Sequence, residues 1–152
     1  MSEGLIRQTT AACPANYSPT PSGRLTCIRF VSDVGNRTSF SAARSACQAD
    51  GGDLLRLNAG NFDQIRQLAD ANKGTPACDF WVGAKEGNTD GVWLYLNGDS
   101  ISPNIFFNPM TNPVGNGANA CGKLAEGDGF YLHDGGSCTD NNGYICQAIK
   151  IN

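Results

Sequence analysis

The side chains with the most chemistry to offer lie in the last third of the chain. Asn112, Asn116 and Asn119 stand in a stretch punctuated by proline and glycine, and the only histidine, His133, is followed directly by Asp134. Amides, an imidazole and a carboxylate together supply both donors and acceptors, which suits a ligand rich in hydroxyl groups. Phe130 or Tyr131, just before, would add an aromatic face. The same residues make a poor catalytic unit, because neighbours on a strand point to opposite sides and no nucleophile accompanies them. No catalytic residue, and no enzyme, is expected. Each asparagine taken singly also fits ordinary loop chemistry, since Asn tolerates left-handed backbone and caps turns. Glu126-Gly127-Asp128 reads as a solvated hairpin tip, because two carboxylates around one spacer need further ligands to hold a metal.

A loop-borne site of this kind has to be held by something, and here the candidate is sulfur. The chain has 152 residues, enough for one domain, yet only 16% are charged and 19 are glycine. Seven cysteines, at 13, 27, 47, 78, 121, 138 and 146, exceed what a reducing cytosol usually retains. None forms a Cys-x-x-Cys pair, so disulfides are a better reading than zinc. Lys plus Arg number 11 against 14 Asp plus Glu, a net charge of -3, which leaves too few cations for nucleic acid. No stretch approaches a membrane span, and the start at Met1 carries no signal-peptide pattern, so the chain reads as a mature sequence or an expressed fragment. The triplets Asn16-Tyr17-Ser18 and Asn36-Arg37-Thr38 are compatible with export as N-glycosylation acceptors. A secreted, extracellular location is expected.

The elements follow from periodicity and turn residues. Residues 1–12 are polar and read as a tail, with a domain over 13–152. A small hairpin is predicted between Tyr17 and Val31. Phe40, Ala43 and Cys47 fall on one helical face, with Ser39 or Ser41 as cap and Gly51-Gly52 as the stop. Asp53 to Leu57 reads as a short strand. A second helix carries Phe62, Ile65, Leu68 and Ala69, and Asn61 with Gln64 resembles a capping box. Strands are predicted at Phe80-Trp81-Val82 and Val92 to Leu96, and again at Cys121 to Ala125, Gly129 to Leu132 and Gly143 to Ile149. Between them residues 97–120 form a long loop, packed under by Phe106 and Phe107.

Trp81-Val82-Gly83-Ala84, Gly91-Val92-Trp93 followed by Asn97-Gly98, and the spacing of Cys47, Cys121, Cys138 and Cys146 resemble the C-type lectin-like domain over residues 13 to 148. The resemblance implies an α+β fold in which two helices flank antiparallel sheets and a long loop region, with Trp81 and Trp93 in the core. It also implies pairing of Cys13 with Cys27, Cys47 with Cys146 and Cys121 with Cys138. Spacing alone leaves the connectivity open. Cys78 is left over; its place before Phe80-Trp81 reads as a buried thiol, with an interchain bridge, and hence a homo-oligomer, as the alternative.

In sugar-binding members of that family a calcium ion sits between the long loop and a late strand. By position, Asn112-Pro113-Val114, Asn119 and Leu132-His133-Asp134 fall on the three ligand motifs, and Asn108-Pro109-Met110 is a second Asn-Pro unit nearby. The resemblance would make the Asn112-Pro113 bond cis. Calcium wants six to eight hard oxygens, and of these residues only Asp134 brings a carboxylate. Calcium, through Asp134, Asn112 and Asn119 if it binds at all, is expected to be weak or absent, and no cofactor is required. The reading is a secreted lectin-like domain that binds a glycan or glycoprotein through the 104–120 loop and the 130–134 strand, using Asn112, Asn116, Asn119, His133 and Asp134. The alternative is an interaction or self-assembly module for protein, ice or mineral surfaces, since a fold does not fix a ligand.

Overall fold

The computed structural model describes residues 12–20, 26–89, 91–102, 105–109, 120–135 and 137–149. In chain order the elements are β1 (Ser18–Pro19), β2 (Thr26–Val31), α1 (Phe40–Ala49), β3 (Asp53–Leu54), α2 (Phe62–Ala71), β4 (Phe80–Glu86), β5 (Trp93–Tyr95), β6 (Cys121–Ala125), β7 (Tyr131–Asp134) and β8 (Gly143–Ile149). Nearly all of the expected N-terminal tail lies outside the described residues.

Both helices bury the faces their periodicity predicts. In α1 these are Phe40, Ala43 and Cys47, and the Ser39 side chain accepts the Ala42 N–H at 3.3 Å. That bond satisfies one of the donors a helix start leaves open. In α2 they are Phe62, Ile65 and Ala69. Asn61 occupies the cap position of α2 but makes no side-chain cap bond, so the expected capping box does not form. Tertiary burial of the apolar stripe holds this helix instead. Gly51, at φ 88°, ends the first helical segment as expected. Its neighbour Gly52 has a second duty: a Cβ there would stand 1.9 Å from the Gln147 carbonyl oxygen. Only glycine lets this turn pass so close to β8.

The strands form one sheet in the order β1-β2-β8-β4-β6-β7, with β3 added to β8 and β5 to β4. Pairing is antiparallel except between β4 and β8, where Phe80 lies beside Gly143 and Trp81 beside Tyr144 in parallel. The sheet is therefore mixed. Along β4 the side chains alternate between two apolar layers, which is why its sequence reads as a continuous apolar run. Phe80 and Val82 join Ile65 of α2, Leu124, Leu132 and Ile145. Trp81 joins Phe40 and Cys47 of α1 together with Leu54. Its ring meets Phe40 edge-on at 5.7 Å and its Nε1 donates to the Thr38 carbonyl at 2.8 Å, so the one polar atom of a fully buried indole is satisfied. Trp93 is buried as well.

Three disulfides complete the frame: Cys13–Cys27, Cys47–Cys146 and Cys121–Cys138, the pairing that the family resemblance implies. Cys47–Cys146 spans 99 residues and ties α1 to β8. In the chain-entropy account a loop of that length is worth about 4.7 kcal/mol. Cys78 is a free, buried thiol in the larger apolar layer. Its burial fits the expected buried thiol.

Candidate binding site

Two of the expected site residues, His133 and Asp134, are the last residues of β7; Asn112, Asn116 and Asn119 lie outside the described residues, as does the Asn112-Pro113 bond. The register sets His133 beside Lys123 and Asp134 beside Gly122 of β6, so the two project from opposite faces of the strand. Asp134 is buried and His133 is half-buried. The glycine that follows is obligatory, because a Cβ on Gly135 would stand 2.4 Å from the Trp81 ring. This close approach holds the end of β7 against the core.

His133 is oriented by Asp128. Its Nε2 lies 2.6 Å from Asp128 Oδ2, and the other carboxylate oxygen accepts from Asn108 Nδ2 at 2.6 Å. An ionised carboxylate can only accept, so Nε2 carries a proton, while Nδ1 accepts in the neutral ring and donates in the charged one. The side chains of His133 and Asp128 are 31% and 16% exposed, so the pair is partly screened from water and its imidazole is still reachable. Asp128 is thus not the solvated hairpin tip that its sequence predicts, although Glu126 and Gly127 beside it are exposed. The reason is backbone: Gly129 and Phe130 have φ of 69° and 63°. Two consecutive left-handed residues fold the turn back so that Asp128 meets a residue on the departing strand. They also delay β7 to Tyr131, two residues after its predicted start. An aromatic residue in this region is strained, by about 1–2 kcal/mol, and burial of the Phe130 ring stabilises it against that cost.

Asn108 belongs to the long loop, and the loop is anchored where the sequence places its aromatic residues. Phe106 is buried against Phe62 with ring centroids 5.0 Å apart, and Phe107 meets Trp93 at 6.2 Å. Between them the backbone pairs with the open edge of β7, Leu132 N–H donating to the Phe106 carbonyl at 2.8 Å. The loop, the acidic turn and β7 therefore converge on one carboxylate. The signal in the sequence for this convergence is thin: an Asp five residues before the lone histidine, across a glycine turn.

Of the two aromatic candidates Phe130 presents no ring face, and Tyr131 has one face covered. Phe130 is in the core, and the Arg66 guanidinium lies over the Tyr131 ring, 3.6 Å from its centroid. Arg66 is held there by Asp63 at 3.2 Å and by the Gly129 carbonyl at 2.9 Å. Tyr131 and Arg66 line an open cleft of about 630 Å³ between α2 and the acidic turn. Among the described residues no group of three or more His, Cys, Asp and Glu side chains is arranged to hold a metal ion.

The sequence matches the family described as Lectin C-type domain over residues 36–148. The chain belongs to this family. It is 26% identical over 145 residues to the rat killer cell lectin-like receptor subfamily B member 1, covering 95% of this chain and 60% of that protein. It spans about 60% of the length of that curated relative. Among solved structures it is similar to the calcium-independent C-type lectin SPL-2 of Saxidomus purpuratus, with TM-score 0.72, 17% identity and coverage of 90% and 93% of the two chains. The C-type lectin domain of murine dendritic cell inhibitory receptor 2, solved with an N-glycan, gives TM-score 0.70 at 17% identity, covering 91% of this chain and all of that one. A calcium-independent type II antifreeze protein gives 0.66, also at 17% identity, with 93% and 97% covered. These likenesses show the fold, and the fold serves lectins and antifreeze proteins alike. No described helix is long and apolar enough to cross a membrane.

Proposed function

We propose that this domain binds carbohydrate where the 104–120 loop meets β7, and that it does so as an exported protein without depending on calcium. The observation that carries the reading is the Asn108–Asp128–His133 chain, which fixes a half-exposed imidazole at the loop's base, a ring that can hydrogen-bond a hydroxyl in either protonation state. Prearranged polar side chains bind with less ordering cost than free ones. Asn112, Asn116 and Asn119 would complete the hydrogen-bonding set from the loop, with Asp134 at the strand end. Because His133 and Asp134 face opposite ways, His133 is the principal strand contact.

The donor chemistry does not suit calcium. Asp134, neutral amides, and an Asp128 carboxylate and imidazole already engaged with each other and with Asn108 fall short of the charge and the hard oxygens that the ion requires. SPL-2, a lectin of the same fold described as independent of calcium, supports this side of the reading. Three disulfides support export, since such bonds persist in oxidising compartments.

A second reading, a non-sugar interaction module, is favoured by the same lack of carboxylates and by the antifreeze protein among the structural neighbours. Binding to a panel of immobilised glycans, with calcium and with chelator, separates the two. Equal signal in both conditions is expected. Silence in both transfers the domain to the second reading, and signal lost with chelator shows that an ion does bind.

A further inference from the structure

Asn16 is the third residue of a tight turn closed by the Tyr17 N–H on the Pro14 carbonyl at 3.0 Å. Its φ of 69° is one that asparagine accepts more readily than other side chains except glycine. The turn is pinned from both sides. Cys13 is bonded to Cys27, and Tyr17 is buried with its hydroxyl donating to Asp50 Oδ2 at 2.9 Å. Asn16 itself is exposed, as is Ser18, the hydroxyl residue of the triplet Asn16-Tyr17-Ser18. Beside Asn16 a groove of about 460 Å³ opens between the hairpin and α2, lined by the apolar Pro19, Ile28, Phe30 and Leu68 and by the polar Ser18, Arg29 and Asn72. This mixed lining matches a pyranose, which has C–H faces and a hydroxyl rim.

In the other triplet, Asn36-Arg37-Thr38, Asn36 is exposed as well, but Thr38 is half-buried and paired with the rest of the fold. The Asn36 amide nitrogen donates to Asp33 Oδ2. Thr38 exchanges backbone hydrogen bonds with Asn142 at 2.9 and 3.0 Å, and its carbonyl also takes the Trp81 indole.

We infer that Asn16 carries an N-linked glycan, the first sugar of which has the Ile28–Leu68 groove as its room. The inference rests on the export half of the proposed function and not on sugar recognition. The donor is a lipid-pyrophosphate-linked oligosaccharide of the secretory route, used by its transferase. Asn16 Nδ2 bonds to C1 of the donor's N-acetylglucosamine, the C1–O bond breaks, the pyrophosphate lipid leaves with the electron pair, and Nδ2 gives up one proton. Nothing is oxidised or reduced.

The test uses the full chain secreted from a eukaryotic host. Peptide-N-glycosidase in ¹⁸O water converts a glycosylated asparagine to labelled aspartate, which peptide mapping locates. Label at Asn16 is expected, and it should vanish in both Asn16→Gln and Ser18→Ala, the latter keeping the asparagine. Thiol counting on the same sample reports whether the three disulfides have formed. Unlabelled Asn16 in disulfide-bonded protein, whether or not Asn36 is labelled, overturns the inference and leaves export standing. Reduced cysteines together with unlabelled Asn16 overturn both.

Discussion

Asp128 accepts from two side chains that reach it from separate parts of the chain, Asn108 of the loop and His133 of β7. Asp128→Asn keeps the shape and replaces one acceptor oxygen with a donor amide, so either a bond is lost or His133 must accept at Nε2 with its proton moved to Nδ1. Glycan affinity is expected to fall about tenfold, equivalent to about 1.4 kcal/mol, in calorimetric titration against a glycan that binds the native chain. Unchanged affinity would detach this carboxylate from recognition. A second residue-scale prediction concerns Tyr17. Burial, and then the bond to the Asp50 carboxylate, hold its phenol well above the ordinary value of 10.0, and burial also raises Tyr144. The folded chain keeps these protons where the unfolded chain would release them. Their stabilisation is therefore complete below pH 10 and is lost as pH rises beyond it. Urea midpoints should drop steeply above that pH. Tyr17→Phe should lower stability at neutral pH by about 1–2 kcal/mol and flatten the alkaline decline. An unaltered slope would show that Tyr17 is not among the groups responsible.

At the scale of elements, the link between α1 and β8 matters most, because it joins a helix near the start of the domain to its last strand. Replacing Cys47 and Cys146 together with serine is expected to cost about 2–5 kcal/mol in denaturant unfolding. A smaller loss would mean that sheet pairing already restrains the unfolded chain. The helices were readable from the sequence because Phe40, Ala43 and Cys47, and likewise Phe62, Ile65 and Ala69, repeat at the helical period. The missing cap bond at Asn61 was not readable, since a residue's type shows that it can cap and not that its side chain is aimed to do so. The start of β7 was missed for a related reason. Phe130 has a strand former's identity, but its backbone is left-handed because the ring must reach the core.

For the molecule as a whole, the frame predicts one thiol per chain. Burial pushes the Cys78 thiol above its ordinary pKa, which lowers the thiolate fraction as well as shielding the sulfur. The native protein should react with Ellman's reagent slowly or not at all and release one equivalent after denaturation without reductant. It should also run as a monomer on a non-reducing gel. A covalent dimer would contradict the depth at which the sulfur sits. The candidate site was legible as a neighbourhood, the long loop and the 130–134 strand, from the clustering of asparagines, the lone histidine and the family resemblance. Its organisation was not. The sequence separates Asn108, Asp128 and His133 into a loop, a turn and a strand, and only packing of Phe106 beneath the loop brings them together.

By itself, then, the order of residues determined which faces are apolar and where the helices run, while the interior tryptophans and the shortage of carboxylates at the ligand motifs came from the family resemblance it carries. The apolar faces and the helices are properties of local spacing, which survive any arrangement of the elements in space. The tertiary structure decided that Asp128 turns toward His133, that Phe130 lies in the core and Arg66 covers one face of Tyr131, that His133 and Asp134 part company, and that Cys78 is buried. Each of these depends on strand register and on a turn of two left-handed residues, set by contacts between segments far apart in the chain.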